Sequence, residues 1–153
     1  MYGTAEAATI LGVKDWRIKN FSLPPYGLEP SKKGAGRGKR SCYRFEELLR
    51  LSVASALYGE GTRFTPEGIS PAIPLVTDDL IHRWTNSYRS DGTAPAIVLT
   101  FDGRSWRVLD AKRSAKAFSD SLEEGDVWFS LNLVALWEGV VKSITDLEAS
   151  GEI

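Results

Sequence analysis

Apolar positions near the start of the chain recur at helical spacing in two short segments that a glycine separates. The first segment, residues 4–11, has a candidate N-cap at Thr4 and is followed by Gly12, which readily adopts the positive φ that ends a helix. The second segment, residues 15–21, mixes apolar and polar side chains as an amphipathic helix does. Their apolar positions are Ala7, Ala8, Ile10, Leu11, Trp16, Ile18 and Phe21. Two helices joined by a glycine-containing turn predict a helix-turn-helix.

The residues that follow predict a loop, a hairpin and two further helices. Residues 23–30 contain three prolines and a glycine, and therefore predict a loop. Residues before and after the glycines of segment 34–38 are expected to pair as a short hairpin with the tip AGRG. Residues 45–58 carry apolar side chains at helical spacing, which predicts a helix. A shorter helix is predicted after them, with Thr65 as its cap and Pro66 at its first position.

The second half of the chain mixes helical and strand patterns. Residues 79–88 predict a helix, and residues 95–110 predict a hairpin because two β-rich runs flank Asp102-Gly103. Residues 127–131 are apolar and β-rich, and residues 132–149 predict the longest helix. Its apolar residues follow the spacing four, three, four and three, which is a heptad seam of Leu133, Trp137, Val140, Ile144 and Leu147. Two heptads suffice for one helix-pair contact, and we expect this seam to form a dimer interface.

Positive charge is concentrated in the first half of the chain. Residues 1–70 contain eleven Lys and Arg against seven Asp and Glu, whereas the remaining residues contain eight against thirteen. The net charge of −1 therefore hides a basic half and an acidic half. Residues 32–43 read KKGAGRGKRSCY, with five Lys or Arg, three Gly and no acid. This basic loop (residues 32–43) is either a solvated linker or a wing that lies along a nucleic-acid backbone.

Several short stretches resemble the winged helix-turn-helix domain of the MerR family of bacterial regulators. Gly12-Val13 matches the end of that family's first helix, and residues 18–21, IKNF, are similar to its recognition helix, with Asn in place of a Tyr. Residues 36–43 match the wing form G-R-G-x-R-x-x-Y of one subgroup. Residues 43–48 resemble the start of the family's third helix. The resemblance covers somewhat under half of the chain, and it implies a DNA-binding regulator.

The predicted helix-turn-helix and the resemblance together give a set of candidate DNA contacts. Short polar or basic side chains of a recognition helix face base edges, while glycines let a wing approach the duplex. The candidates in the second helix are Lys14, Trp16, Arg17, Lys19 and Asn20, and those of the basic loop are Lys32, Lys33, Arg37, Lys39, Arg40 and Tyr43. Trp16 either covers the core or lies against the sugar-phosphate backbone, and the core role is slightly favoured. Tyr43 is expected to pack, with its hydroxyl directed to a phosphate.

Other kinds of chemistry find little support in the sequence. The chain has one cysteine, Cys42, and one histidine, His82, whereas a structural zinc site needs about four ligands. No hydrolase, metalloprotease or phosphate-loop motif is present, so we predict neither an enzyme nor a bound cofactor. No apolar run approaches the roughly 20 residues of a membrane span, and the first residues do not resemble a secretory signal. These features predict a cytoplasmic protein.

Four tryptophans lie in the second half of the chain: Trp84, Trp106, Trp128 and Trp137. Aromatic rings of this kind fill cores and interfaces more often than they line a ligand pocket, and we favour the first role. The predicted fold is therefore α+β. A winged helix-turn-helix, residues 1–73, is followed by a small α+β dimerisation or effector region, residues 74–153, that ends in a long helix.

The sequence favours one function and leaves three alternatives open. The favoured function is a homodimeric transcriptional regulator that binds double-stranded DNA. One variant of this hypothesis adds an unknown small-molecule effector. The first alternative is a DNA-architecture factor similar to an excisionase or a phage terminase small subunit. The second is a small-molecule sensor that uses the Trp-rich half. The third is an adaptor whose basic loop binds an acidic protein.

Overall fold

The fold is mixed α+β, as the sequence predicts, and ends in a long C-terminal helix. A computed structural model describes residues 1–34, 40–59, 64–91, 97–110, 116, 119–120 and 129–153. Within these residues the chain forms six α-helices and two small antiparallel sheets. Contacts divide it into two compact units: residues 1–73 with 136–153, and residues 74–135. The sequence places residues 136–153 with the C-terminal region, whereas the contacts group them with the first unit.

The bounds of most helices agree with the sequence pattern. The α-helices are α1 Thr4–Ile10, α2 Asp15–Phe21, α3 Phe45–Tyr58, α4 Pro66–Ile69, α5 Asp78–Asp91 and α6 Leu133–Ser150, with a 3-10 helix at Ser70–Leu75. The strands are β1 Tyr2–Gly3, β2 Cys42–Tyr43, β3 Ile97–Phe101, β4 Trp106–Asp110 and β5 Phe129–Asn132. No helix among the described residues is both long enough and apolar enough to cross a bilayer.

The turn between α1 and α2 forms as the glycine predicts. Gly12 has a φ of 63°, a left-handed conformation that costs glycine little, and the Val13 amide donates to the Ala8 carbonyl at 2.9 Å. The start of α1 differs from the prediction, because Gly3 is the N-cap and Thr4 lies in the first turn. The Glu6 side chain supplies the cap by accepting from the Gly3 amide at 2.6 Å.

A short sheet supports the basic loop. Strand β1 pairs with β2, with Tyr2 opposite Tyr43 and Gly3 opposite Cys42. On the far side of β2, Lys32 and Cys42 form an antiparallel bridge whose two N–H···O distances are 3.2 and 2.9 Å. The two arms of the basic loop therefore pair as the sequence predicts, while the tip, residues 35–39, lies outside the described residues.

Helix α3 forms the centre of the first unit. Its buried positions run along its length: Glu47, Leu48, Leu49, Leu51, Ser52, Val53, Ala54 and Leu57. Both predicted helices of the helix-turn-helix contribute to the same core, with Ala7, Ala8 and Ile10 from α1 and Ile18 and Phe21 from α2. After α3, Thr65 caps α4 as predicted, because its hydroxyl accepts from the Gly68 amide at 3.2 Å.

The second unit contains α5 and a three-stranded antiparallel sheet in the order β4-β3-β5. The predicted hairpin is confirmed, but its loop is longer than the Asp102-Gly103 pair, because Phe101 pairs with Trp106. The Asp102 carboxylate accepts from the amides of Ser105 and Arg104, each at 2.8 Å, and lies 3.0 Å from the Arg107 guanidinium. The amides of Ser105 and Arg104 are the main cause that lowers the pKa of Asp102 to about 2.

Candidate nucleic-acid interface

Helix α2 separates its apolar and polar side chains into two faces. Ile18 and Phe21 are buried, which turns the opposite face of the helix towards solvent. Four of the five predicted contacts in this segment are exposed, namely Lys14, Trp16, Lys19 and Asn20, while Arg17 is half-buried. The structure therefore presents polar and basic side chains of the turn and of α2 to solvent.

Arg17 is held between two aromatic rings. Its guanidinium carbon lies 5.5 Å from the centroid of the Trp16 ring and 5.2 Å from that of Tyr58, within the range of cation–π attraction. Trp16 is 50% exposed, so the core role that the sequence slightly favoured is wrong. The contact restricts Arg17 and places its charge at the surface in a defined position, which reduces the entropy that binding an anion would cost.

One flank of α2 is an aromatic groove, defined here by Trp16, Arg17, Leu23, Tyr26 and Tyr58. Its volume is about 270 Å³, and three of its members expose large apolar surfaces: Trp16 at 50%, Leu23 at 57% and Tyr58 at 43%. The Tyr26 hydroxyl is buried with no hydrogen-bond partner among the described residues, and burial raises its pKa. The sequence analysis missed Tyr26 and Tyr58, since one lies in the proline loop and the other ends α3.

The opposite flank of α2 is a charged cleft, defined here by Lys19, Arg40, Ser41, Asp15 and Glu6. Its volume is about 520 Å³. Lys19 comes from α2 and Arg40 from the second arm of the basic loop, and both are exposed. The structure thus brings cations from two predicted parts of the interface to one surface. The two carboxylates balance the two cations in formal charge, and Glu6 also accepts from the Gly3 amide.

The remaining predicted loop residues have different surroundings. Lys32 is exposed at the bridge to Cys42, and Lys33 forms an ion pair with Glu29 in which the Nζ and Oε1 atoms are 2.7 Å apart. Arg37 and Lys39 lie outside the described residues. An exposed ion pair of this kind contributes little to stability, yet it neutralises one of the cations that the sequence assigns to phosphate binding.

Tyr43 does not belong to the exposed interface. Its side chain is 2% exposed, because β2 directs it into the core, and its hydroxyl is hydrogen-bonded to the Thr4 side chain. Burial raises the pKa of this phenol. The expected packing role of Tyr43 is confirmed, whereas the contact between its hydroxyl and a phosphate is not available in this conformation, and we remove Tyr43 from the candidate set.

Glu47 is a buried carboxylate that the sequence analysis did not single out. It is 9% exposed and accepts from the amides of Ser31 at 3.1 Å and Arg44 at 2.7 Å. It also accepts from the Ser31 hydroxyl, and from the Arg44 Nε at 3.2 Å. Burial raises the pKa of Glu47, but the hydrogen bonds from Ser31 and Arg44 outweigh burial, so the pKa is lowered. Ser31 and Arg44, the residues that flank the basic loop, are therefore hydrogen-bonded to the same ionised carboxylate.

The predicted dimer seam of α6 is largely covered within one chain. Leu133, Trp137 and Val140 are buried, while Ile144 and Leu147 are half-buried. A dimer formed by the first three would have to replace the packing that already covers them. The assignment of this seam to an interface stays a prediction.

Among the described residues, the tryptophans of the second half do not form a second candidate site with the single cysteine or the single histidine. Trp84, Trp106 and Trp137 are buried, as a core role predicts, and Trp128 lies outside the described residues. Cys42 is half-buried in β2, and His82 is exposed on α5. In the part of the chain that the structure describes, no three His, Cys, Asp or Glu residues group as a metal site would require.

No protein-family model matches this chain, and a search of curated proteins returns no significant relative. The assignment of function therefore depends on the geometry of residues 1–73 and on the resemblance found in their sequence.

Proposed function

We propose that the protein is a sequence-specific DNA-binding transcriptional regulator whose residues 1–73 form a MerR-like winged helix-turn-helix. In this proposal α2 enters the major groove of duplex DNA, and the basic loop lies along the backbone as a wing. The order α1, turn, α2, paired loop arms and α3 supports the assignment. The resemblance to a bacterial family makes the bacterial cytoplasm the proposed location.

The observation that carries this proposal is the meeting of the exposed cations Lys19 and Arg40 at the charged cleft. A duplex backbone is a continuous line of negative charge, and binding it requires cations that several elements hold on one surface. In a disordered linker the first arm would be unpaired, whereas here Lys32 is paired with Cys42. We therefore assign phosphate contacts to Lys19, Arg40 and Lys32.

The exposed face of α2 is suited to reading bases. Asn20 can form paired hydrogen bonds with an adenine edge, and Arg17 can do so with guanine. Arg17 is already oriented by Trp16 and Tyr58, while Lys14 sits in the turn that would meet the backbone first. Specific recognition by α2 is thus proposed to depend on Arg17 and Asn20, and general affinity on the surrounding lysines.

We propose that the protein acts as a homodimer, because one winged helix buries too little surface for tight specific binding and two copies read two half-sites. The half-buried Ile144 and Leu147 are the members of the α6 seam with surface left for a partner. A small-molecule effector remains unassigned, since Trp84, Trp106 and Trp137 are buried.

The direct test is the salt dependence of duplex binding, measured by fluorescence anisotropy on wild type, Lys19→Ala and Arg40→Ala. We expect each variant to bind more weakly and to reduce the slope of log K against log salt by about 0.9 per lost phosphate contact. Lys142→Ala, which removes an exposed cation from α6, is the charge-matched control and should leave the slope unchanged. Equal slopes for all four proteins would overturn the proposed interface.

A further inference from the structure

Glu47 joins both ends of the basic loop to the first turn of α3. Ser31 precedes the loop and Arg44 follows it, and each donates two hydrogen bonds to this one carboxylate. With four donors, both oxygens of the carboxylate are engaged. The side chain is 9% exposed, so little water reaches it to replace a lost partner.

The arrangement includes more contacts than a helix cap requires. A glutamate in the first turn caps a helix by accepting from the N-cap amide, and the Arg44 amide supplies that bond at 2.7 Å. Ser31 lies 16 residues earlier in the chain and adds bonds from its amide and its hydroxyl. These bonds contribute nothing to the cap of α3, but they fix where the first arm of the loop begins.

Between these two anchors, in the described part of the loop, the backbones of the arms pair through the bridge of Lys32 and Cys42. One more contact crosses them, in which the Gly34 amide donates to the Ser41 hydroxyl at 3.3 Å. Among the described residues, the direction of the arms is therefore set by β1 on one side and by Glu47 at the base. A change at Glu47 would leave the strand pair intact at β1 and release the Ser31 side.

We propose that Glu47 is a positioning residue that holds the two arms of the basic loop at a fixed angle to α3, so that Lys32 and Arg40 face the same surface as α2. This inference rests on the proposed DNA-binding function. Glu47 contacts no DNA in this proposal and acts through Ser31 and Arg44. The competing explanation is that Glu47 only caps α3.

Two variants separate the explanations. Glu47→Gln removes the charge and two of the acceptor sites, so it affects both the cap and the arms. Ser31→Ala removes the hydroxyl bond to Glu47 and leaves the Arg44 amide in place, so it affects the arm alone. Because Ser31 is exposed, this variant carries the test even if Glu47→Gln does not fold. Glu67→Gln is the matched control, since it removes the same charge from an exposed position in the first turn of α4.

The first readout needs no DNA. Amide hydrogen exchange at Lys32 and Cys42 reports the pairing of the arms, because these two amides form the bridge. We expect protection at both to fall by about tenfold in Glu47→Gln and about threefold in Ser31→Ala, and to be unchanged in Glu67→Gln. Unchanged protection in Ser31→Ala would overturn the proposal.

The second readout is duplex affinity combined with Arg40→Ala. If Glu47 acts by positioning the arm, Glu47→Gln weakens binding by roughly tenfold in the wild-type background and by much less when Arg40 is already absent. Equal losses in both backgrounds would overturn the positioning role. If wild type binds no duplex, the proposed function fails, while the exchange experiment still decides whether Glu47 holds the arms.

Discussion

The two flanks of α2 differ in how they hold positive charge. In the charged cleft Lys19 and Arg40 are exposed and share the surface with Asp15 and Glu6. In the aromatic groove Arg17 is restrained by Trp16 and Tyr58.

For the proposed DNA-binding function, this comparison separates affinity for any duplex from specificity for one sequence. Exposed cations gain mostly from the release of counterions, which is strongly dependent on salt and indifferent to sequence. A restrained guanidinium loses less entropy on binding and presents its donors in a fixed plane, which suits the recognition of one base edge. In the proposed DNA-binding function, the cations of the charged cleft supply general attraction to the duplex, and Arg17 in the aromatic groove supplies discrimination between sequences.

The largest expected effect comes from removing the base of the aromatic groove. The Phe21 ring is 2% exposed and packs edge-on against Tyr26 and Tyr58, at centroid distances of 5.0 and 6.2 Å. Phe21→Ala should lower the free energy of unfolding by about 3 to 5 kcal/mol, as measured by urea denaturation. Leu23→Ala, on the exposed rim of the same groove, should change it by less than about 0.5 kcal/mol. A comparable loss in both variants would contradict this packing.

The next effect distinguishes the flanks directly. Arg17→Ala should weaken binding to a selected site by about tenfold and binding to random duplex by much less, because it removes a base contact. Lys19→Ala should weaken both by a similar factor, because it removes a phosphate contact. For each variant, anisotropy titrations measure the ratio of its affinity for the selected site to its affinity for random duplex. The same ratio for both variants would remove the distinction between the flanks.

A smaller effect of opposite sign is expected at the ion pair of the basic loop. Glu29→Gln frees Lys33 from its partner at 2.7 Å, and affinity for duplex DNA should rise by about threefold at low salt. The control is Glu138→Gln, which removes an exposed acid from α6. Weaker binding by Glu29→Gln would show that the pair orients Lys33 and does not merely neutralise it.

The smallest effect is a pH dependence of the free energy of unfolding, which we expect from Glu47 at the base of the basic loop. The pKa of Glu47 is below its ordinary value of 4.5, so the stability it contributes is fully present above that pH and is lost as the pH falls through the folded-state value. The difference in unfolding free energy between wild type and Glu47→Gln should therefore be constant at neutral pH and shrink in acid. Urea titrations at several pH values measure it, and a difference that grows in acid would contradict the assignment.

Helix bounds were largely predictable because they depend on local signals. The period of apolar residues and the glycine at position 12 placed α2 and α3 at the residues where the structure has them. Strand β1 was missed because two residues carry no period, and it forms through its pairing with β2.

The start of α6 is set by a side chain. Asn132 is the N-cap of α6, since its side chain accepts from the amides of Val134 and Ala135.

The site was less predictable because its geometry depends on contacts between distant residues. Sequence alone places Lys19 on the second helix and Arg40 on the loop, but not at one cleft. It cannot reveal that Glu47 binds Ser31, and it cannot show that Tyr43 turns inward. The heptad spacing of α6 is equally typical of a helix face buried within its own chain, which is why Trp137 and Val140 fit both explanations.

The central claim is that α2 and the basic loop form one DNA-binding surface, and selection of bound fragments from a random duplex pool tests it most directly. Wild type and the double variant Lys19→Ala/Arg40→Ala would be carried through the same rounds, with Lys142→Ala as the control. The account predicts a two-fold or tandem-repeat motif for wild type and Lys142→Ala, and little enrichment for the double variant. The absence of enrichment for wild type, or equal enrichment for all three proteins, would contradict it.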